Sequence, residues 1–211
     1  LWGSRWFVAH PPWPMERVKL FMTADMIGRS LGDLPLPVVF VMGSEHSPEV
    51  RTALDATKPP ATLEIARMGI DHVGTRSDYG PFRDRQIPFL FFSTGQHPDY
   101  HTPRDTPSKI NYDRIADVST VVLALTRTVA NAETAPQWLD VPELGLDEPK
   151  ALERITTLLL DDNSERLTDL QRYLVSTVRH RCRKILTAGT MTPEDRTWLA
   201  RMSQVLLLSV F

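Results

Sequence analysis

Pro88-Phe89-Leu90-Phe91-Phe92 is the most apolar run of the chain. Four large apolar side chains in succession leave no polar face, so the run predicts a central strand covered on both sides. Pro37 to Met42 is a second short apolar run, rich in Val, and predicts another doubly buried strand. Val18 to Ala24 alternates, placing Val18, Leu20, Met22 and Ala24 on one face of a strand. Thr62 to Ala66 is a further strand candidate. Helical segments fall between these runs. Pro48 to Ala56 is one. Tyr112 to Ala130 is the clearest, with Ile115, Val118, Val122, Leu125 and Val129 in one apolar stripe. Asn111 suits its N-cap and Asp113 its first turn. Strands alternating with helices predict an α/β sheet covered on both faces.

Beyond about residue 135 the character changes. The stretch after Asn131 holds Pro136 and Pro142, with Pro149 just past it, and reads as a linker. After it Gly becomes rare and three helices are expected. Leu152, Ile155 and Leu159 stripe the first. Leu167, Leu170, Leu174, Val178, Cys182 and Ile185 stripe the second. Trp198, Met202 and Val205 stripe the third, with Thr192 as N-cap and Pro193 at its first position. The expected organisation is an α/β unit over residues 1–135, a linker over 136–148 and an all-helical C-terminal extension over 149–211.

Composition bounds the function. The chain has 211 residues, 42% of them hydrophobic and 24% charged, which excludes wholesale disorder. A net charge of −2 argues against a protein built around nucleic acid or an anionic membrane. The longest apolar runs, Val38 to Met42 and Val205 to Leu208, fall far short of the ~18 residues of a membrane span. The lone cysteine, Cys182, has no internal partner and lies on an apolar stripe, so it reads as core. The chain opens on Leu1 rather than Met and both ends read as cut, so a fragment or processed product is expected. Arg179-His180-Arg181-Cys182-Arg183-Lys184 reads as a solvated face, or a patch for another protein region, rather than a grip on phosphates.

Two segments carry candidate chemistry. Thr23-Ala24-Asp25-Met26-Ile27-Gly28 puts a carboxylate where a strand ends. His97-Pro98-Asp99-Tyr100-His101-Thr102-Pro103-Arg104-Asp105-Thr106 follows the most apolar strand and is dense in His and Asp. Ligands of open α/β sheets bind beyond the carboxyl ends of the strands. If the two strands are parallel, Asp25 and His101 emerge on one rim, as a normal oxygen–nitrogen pair for zinc. Asp105, four residues past His101, is placed to accept the other ring N–H. Spacing supplies two convincing ligands where a zinc site usually has three. Other candidates are weaker. Met42-Gly43-Ser44-Glu45-His46 lacks the Gly residues that a nucleophile elbow needs on either side of its Ser. Asp71-His72 reads as a polar loop.

Four blocks together resemble the C-terminal half of the di-zinc aminopeptidase family, which includes secreted bacterial aminopeptidases, glutamate carboxypeptidases and glutaminyl cyclases. They are Ser77-Asp78-Tyr79-Gly80-Pro81-Phe82, Gln86 to Phe92, His97 to Thr106, and Lys109-Ile110-Asn111-Tyr112. Leu1 to Phe7 resembles the phrase after the family's Glu-Glu pair, and Ala24 to Gly28 its third metal-binding phrase. The resemblance covers about residues 1–132. It implies part of a zinc-exopeptidase-like mixed sheet flanked by helices, with residues 1–135 as the C-terminal portion of a peptidase-like domain. It implies Asp25 as ligand to one zinc, His101 as ligand to the other, and Asp105 as support behind that histidine. Asp78, Tyr79 and Tyr100 fall where substrate-pocket contacts are expected, although Tyr79 stands where many members have His.

The family's first His, bridging Asp and Glu-Glu pair fall before Leu1. In the complete domain two zinc ions polarise the peptide carbonyl and a Glu takes the water's proton. The resemblance therefore implies part of a zinc aminopeptidase acting on peptide substrates. This chain would lack the general base and be inactive without the missing N-terminal half of the domain. Extracytoplasmic placement is also implied. The competing expectation is a catalytically silent, aminopeptidase-like binding module.

Overall fold

The computed structural model describes residues 1–143 and 145–209, the side chains of 207–209 excepted. Residues 210 and 211, the end of the expected extension, lie outside the described residues. The elements in order are α1 (Trp2–Ala9), β1 (Phe21–Ala24), β2 (Val38–Met42), α2 (Pro48–Ala56), β3 (Glu64–Met68), α3 (Gly80–Arg83), β4 (Phe89–Ser93), α4 (Tyr112–Ala130), α5 (Asp147–Asp161), α6 (Asp169–Ala188) and α7 (Pro193–Ser209). The architecture is a mixed α/β sheet flanked by helices, with a helical C-terminal part.

The four strands lie in the order β1-β4-β2-β3. β1 runs parallel to β4, β2 parallel to β3, and β2 antiparallel to β4. All five residues of β4 are buried. Its side chains alternate between two cores. Phe89 and Phe91 join Val38, Met42, Ala66 and Met68 under Leu152, Ile155, Leu159, Val178 and Leu199 of α5–α7. Leu90 and Phe92 join Val39 and Val41 against Val50 and Leu54 of α2 and Val118, Val121 and Leu125 of α4. The C-terminal helices thus form one of the sheet's two covering layers.

Side-chain caps open α4, α6 and α7, those at Asn111 and Thr192 as expected. Asn111 Oδ1 accepts from Arg114 N at 3.0 Å and caps α4. Thr168 and Gln171 form a reciprocal capping box on α6, which ends on Gly189 in the left-handed conformation. Thr192 Oγ1 accepts from Asp195 N at 3.1 Å at the start of α7.

Two strands are displaced from their sequence limits, and proline explains both. Residues 18–20 stay outside the sheet because the partner strand begins at Pro88, which has no N–H; pairing opens with Phe21 N donating to Pro88 O at 2.9 Å. β3 falls two residues later than expected because its ladder begins where Glu64 N donates to Pro37 O. In the tail, Trp198 and Met202 of the expected stripe pack partly buried against the core, the fully buried residues of α7 are Leu199, Ser203 and Leu206, and Val205 is exposed. Leu170, in the first turn of α6, is exposed as well. The basic stretch of α6 pairs with its neighbours: Arg179 with Asp161, Arg181 with Asp195, and Arg183 with Glu153. No described helix is long and apolar enough to cross a membrane.

β2 leaves the sheet through Gly43, whose φ is +100°. A Cβ there would lie 2.5 Å from Phe89 O and 2.6 Å from the Phe89 ring. Immediately after it, the buried Glu45 carboxylate accepts from Gly43 N at 3.0 Å and from Ile70 N at 2.8 Å, tying the exits of β2 and β3 together. Gly43→Ala therefore combines left-handed backbone strain with a clash against the central strand, and is expected to lower stability by roughly 2–4 kcal/mol. Urea denaturation read as the shift in midpoint at unchanged m-value checks it.

Candidate functional site

Because β1 and β4 are parallel neighbours in register from Phe21↔Phe89 to Ala24↔Phe92, the loops that follow them leave from one rim. Asp25 opens the first loop and His101 lies in the second. The two loops are stitched by backbone and side-chain bonds. Asp25 N donates to Phe92 O at 3.0 Å, Thr94 N to Met26 O at 3.1 Å, and Gly32 N to Gln96 O at 2.8 Å. Thr94 Oγ1 donates to Met26 O and also contacts Arg29 O. Further along, Asn111 N donates to Gly28 O at 2.7 Å.

A buried cation completes the stitching. Arg29 reaches Asp33 within its own loop, and Nη1 lies 3.0 Å from Asp99 Oδ2 and 3.1 Å from Asp105 Oδ1 in the histidine loop. Asp99 also receives Lys109 Nζ at 2.6 Å and Arg104 Nε at 3.1 Å. Lys109 foremost, with Arg29 and Arg104, outweighs desolvation and holds the Asp99 carboxyl well below the usual carboxylate range. Neither Arg29 nor Asp99 was among the sequence candidates. Their signal was indirect: a segment with two aspartates beside its histidines needs cations, and Arg29 directly follows the Asp25-Met26-Ile27-Gly28 phrase.

Backbone strain coincides with the candidate donors. Among the described residues four non-glycine residues have positive φ, and two are Met26 at 58°, directly after Asp25, and His101 itself at 57°. Such conformations are uncommon outside glycine and cluster at functional sites.

The expected residues are distributed unevenly. Asp25 is exposed and accepts from Ser77 Oγ at 3.1 Å. His101 is exposed, its ring stacked on Tyr100 at a centroid distance of 3.7 Å. Asp25, Arg76, Ser77, Gln96 and Tyr100 line one cavity of about 160 Å³. Asp105 does not reach the His101 ring. Its carboxylate is taken by Arg29, and the imidazole it approaches is that of the buried His97, with Nε2 at 3.6 Å from Oδ2. Tyr79 is no pocket residue either: it is fully buried, stacked on Phe89 at 5.1 Å, with its hydroxyl donating to Gly74 O. Asp78 is turned to the start of α1, accepting from Ser4 Oγ at 2.7 Å.

The loop read as polar, Asp71-His72, joins a cluster in which His72 and Glu148 are buried and Asp71 is exposed. Ligand-type atoms of Asp71, His72 and Glu148 lie within 4.8 Å of one another. Arg196 Nη2 stands 2.8 Å from Asp71 Oδ1, and His72 Nε2 is 2.8 Å from Glu148 Oε1 without hydrogen-bond alignment. Arg196 from α7 thus brings a cation to these groups. Gly69 permits the convergence, since a Cβ there would lie 2.6 Å from Asp71 Oδ1 and 2.8 Å from Arg196 Nη2. This cluster was illegible in sequence because Asp71 and Arg196 are 125 positions apart.

Residues 1–126 match the profile of Peptidase family M28. Among solved structures, the Legionella pneumophila LapA aminopeptidase is similar at 19% identity and a TM-score of 0.47, over 63% of this chain and 36% of that one. An aminopeptidase from Aneurinibacillus sp. strain AM-1 is similar at 22% identity and a TM-score of 0.45, over 68% of this chain and 34% of that one. The chain therefore spans about a third of the length of each. No curated protein matches it.

Burial opposes ionisation of Glu148, but contact with His72, the charge of Arg196 and the Gly69 amide outweigh it and lower its pKa. A depressed carboxyl contributes stability above its unfolded pKa and loses it as pH falls through the folded value. The wild-type protein should therefore lose this contribution as pH drops below about 4.3, the ordinary Glu range. Glu148→Gln should be less stable at pH 7 by about 1–3 kcal/mol and show a flatter acid limb, measured by urea midpoints from pH 7 down to 3.5.

Proposed function

The chain belongs to peptidase family M28, and from that footing we propose that it is the part of a zinc aminopeptidase that supplies one ligand to each of two metal ions. The family is generally metal-dependent, and the chain's class is that of a metallopeptidase-type hydrolase. Asp25 and His101 are the proposed ligands. The observation that carries the reading is the stitched pair of loops that follow two neighbouring parallel strands: one holds Asp25 directly before the left-handed Met26, the other holds His101, itself left-handed.

These two donors do not complete a zinc site by themselves. A zinc site takes three or more protein donors, and among the described residues neither Asp25 nor His101 belongs to a cluster of three His, Cys, Asp or Glu donors. In this reading the remaining ligands and the general-base Glu come from outside residues 1–211. Two surface features suit such a partner segment of the same domain. β1 is an edge strand, with one row of backbone groups free to pair. Trp2 and Trp6 on α1 are 84% and 64% exposed, and Trp13 is exposed nearby. What this chain contributes is position: Arg29 and Thr94 hold the two loops together, and Tyr100 stacks on the His101 ring. Peptides are the proposed substrates.

The reading is tested by assaying residues 1–211, with zinc, beside a form extended upstream in its reading frame, on aminoacyl-anilides. The short chain is expected to be inert and the extended one to show chelator-sensitive turnover. In the extended form Asp25→Ala and His101→Ala should each lower kcat/KM by more than about 100-fold, beyond the cost of losing an outer partner of a metal ligand. Turnover by the short chain would sink the ligand assignment. An inert extended form with a full ligand set would replace the enzyme with a binding module.

A further inference from the structure

Three side chains of metal-ligand type converge where the first turn of α5 meets the loop after β3. Asp71 and His72 come from that loop and Glu148 from α5, and one ligand atom of each lies within 4.8 Å of the other two. Glu148 lies beyond the residues matched to the peptidase family, and neither Asp25 nor His101 belongs to the group.

Two of the three carry lone pairs with nothing to bond. His72 is 5% exposed and Glu148 6%. Both ring nitrogens of His72 and Oε1 of Glu148 lack a hydrogen-bond partner. Buried polar atoms are normally satisfied, and leaving them unmet is unfavourable. Yet Nε2 and Oε1 face each other at 2.8 Å. A proton on Nε2 does not bridge them, because it points past the carboxylate. A zinc ion would stand about 2.0–2.1 Å out along the same lone pair. There an oxygen beside the axis comes within reach, so a contact that fails as a hydrogen bond suits coordination.

Charge and space agree. Asp71 and Glu148 bring two negative charges and Arg196 returns one, with Nη2 2.8 Å from Asp71 Oδ1 and Nε 4.0 Å from Glu148 Oε2. Within the group one negative charge is left over, beside a buried imidazole. Gly69 keeps the centre clear, since a Cβ on it would lie 2.6 Å from Asp71 Oδ1 and 3.1 Å from Glu148 Oε2. Gly69, Glu148 and Arg196 also border a small cavity of about 30 Å³, room for one water to complete a coordination shell. Asp71 is exposed and gives an ion a way in. One imidazole with two carboxylates selects a borderline divalent ion, zinc before magnesium.

We propose that Asp71, His72 and Glu148 form a structural zinc site that pins α5 to the loop leaving β3. The proposal holds whether or not Asp25 and His101 ligate metal, and its test needs no activity.

The probe is Zn²⁺ alone, titrated by calorimetry into the 211-residue protein carrying Asp25→Ala and His101→Ala, both at exposed positions, so that neither can contribute. Expected is saturable binding of one equivalent that excess Mg²⁺ does not displace, a urea midpoint that rises with zinc, and a shift of the His72 ring nitrogens in ¹⁵N NMR. Asp71→Ala should weaken binding by at least about tenfold. Arg196→Gln, which removes the competing cation, should tighten it by about threefold or more, a gain that a damaged fold could not produce. Absence of saturable binding, a urea midpoint indifferent to zinc, unchanged affinity in Asp71→Ala, affinity not raised in a folded Arg196→Gln, or ring shifts confined to other histidines would each overturn the proposal. The first of these would leave Arg196 as the cation that the cluster serves.

Discussion

Everything in this molecule follows from one strand that is apolar on both sides. Phe89, Leu90, Phe91 and Phe92 are all buried, two on each face of the sheet. Full burial of such a side chain is worth about 1.5–3 kcal/mol. The four together are therefore comparable to the 5–15 kcal/mol net stability of an ordinary domain. Neither face can be left to water, so each needs a layer of helices. α2 and α4 cover Leu90 and Phe92, and α5–α7 cover Phe89 and Phe91. The C-terminal helices are thus structural cover for the part of the chain that matches the peptidase family.

The same strand sets where the candidate donors stand. It delivers the histidine loop to the rim at which its parallel neighbour delivers Asp25. Beyond the strand ends, regular pairing is over and backbone groups must find partners in loops. Thr94, Gln96 and Asn111 supply them, and Arg29 neutralises the aspartates that would otherwise repel one another. Two loops held this firmly can sustain left-handed backbone at Met26 and His101.

Local signals were legible where local physics governs. α2 and α4 begin and end where proline, capping side chains and apolar spacing place them, and β2 occupies the Val-rich run. β1 and β3 slipped because strand limits belong to the partner strand, and proline on that partner decides them. The pairing of β1 with β4 is parallel, the condition on which their following loops leave from one rim. Side-chain destinations were less legible. Asp105 sits four residues after His101, yet a buried guanidinium from another loop outcompetes that imidazole for its carboxylate. Tyr79 shares a motif with polar neighbours, but stacking on Phe89 draws it into the core. The Asp71, His72, Glu148 and Arg196 cluster joins three distant segments, and no spacing rule connects them.

Cys182 is fully buried on the inner stripe of α6, and burial above all pushes its thiol up to about 12. At neutral pH almost none of it is thiolate, the form that attacks disulfides or meets oxidants. It is also the only cysteine in the chain. Within these 211 residues no disulfide has to form for the native packing of α6 to be reached.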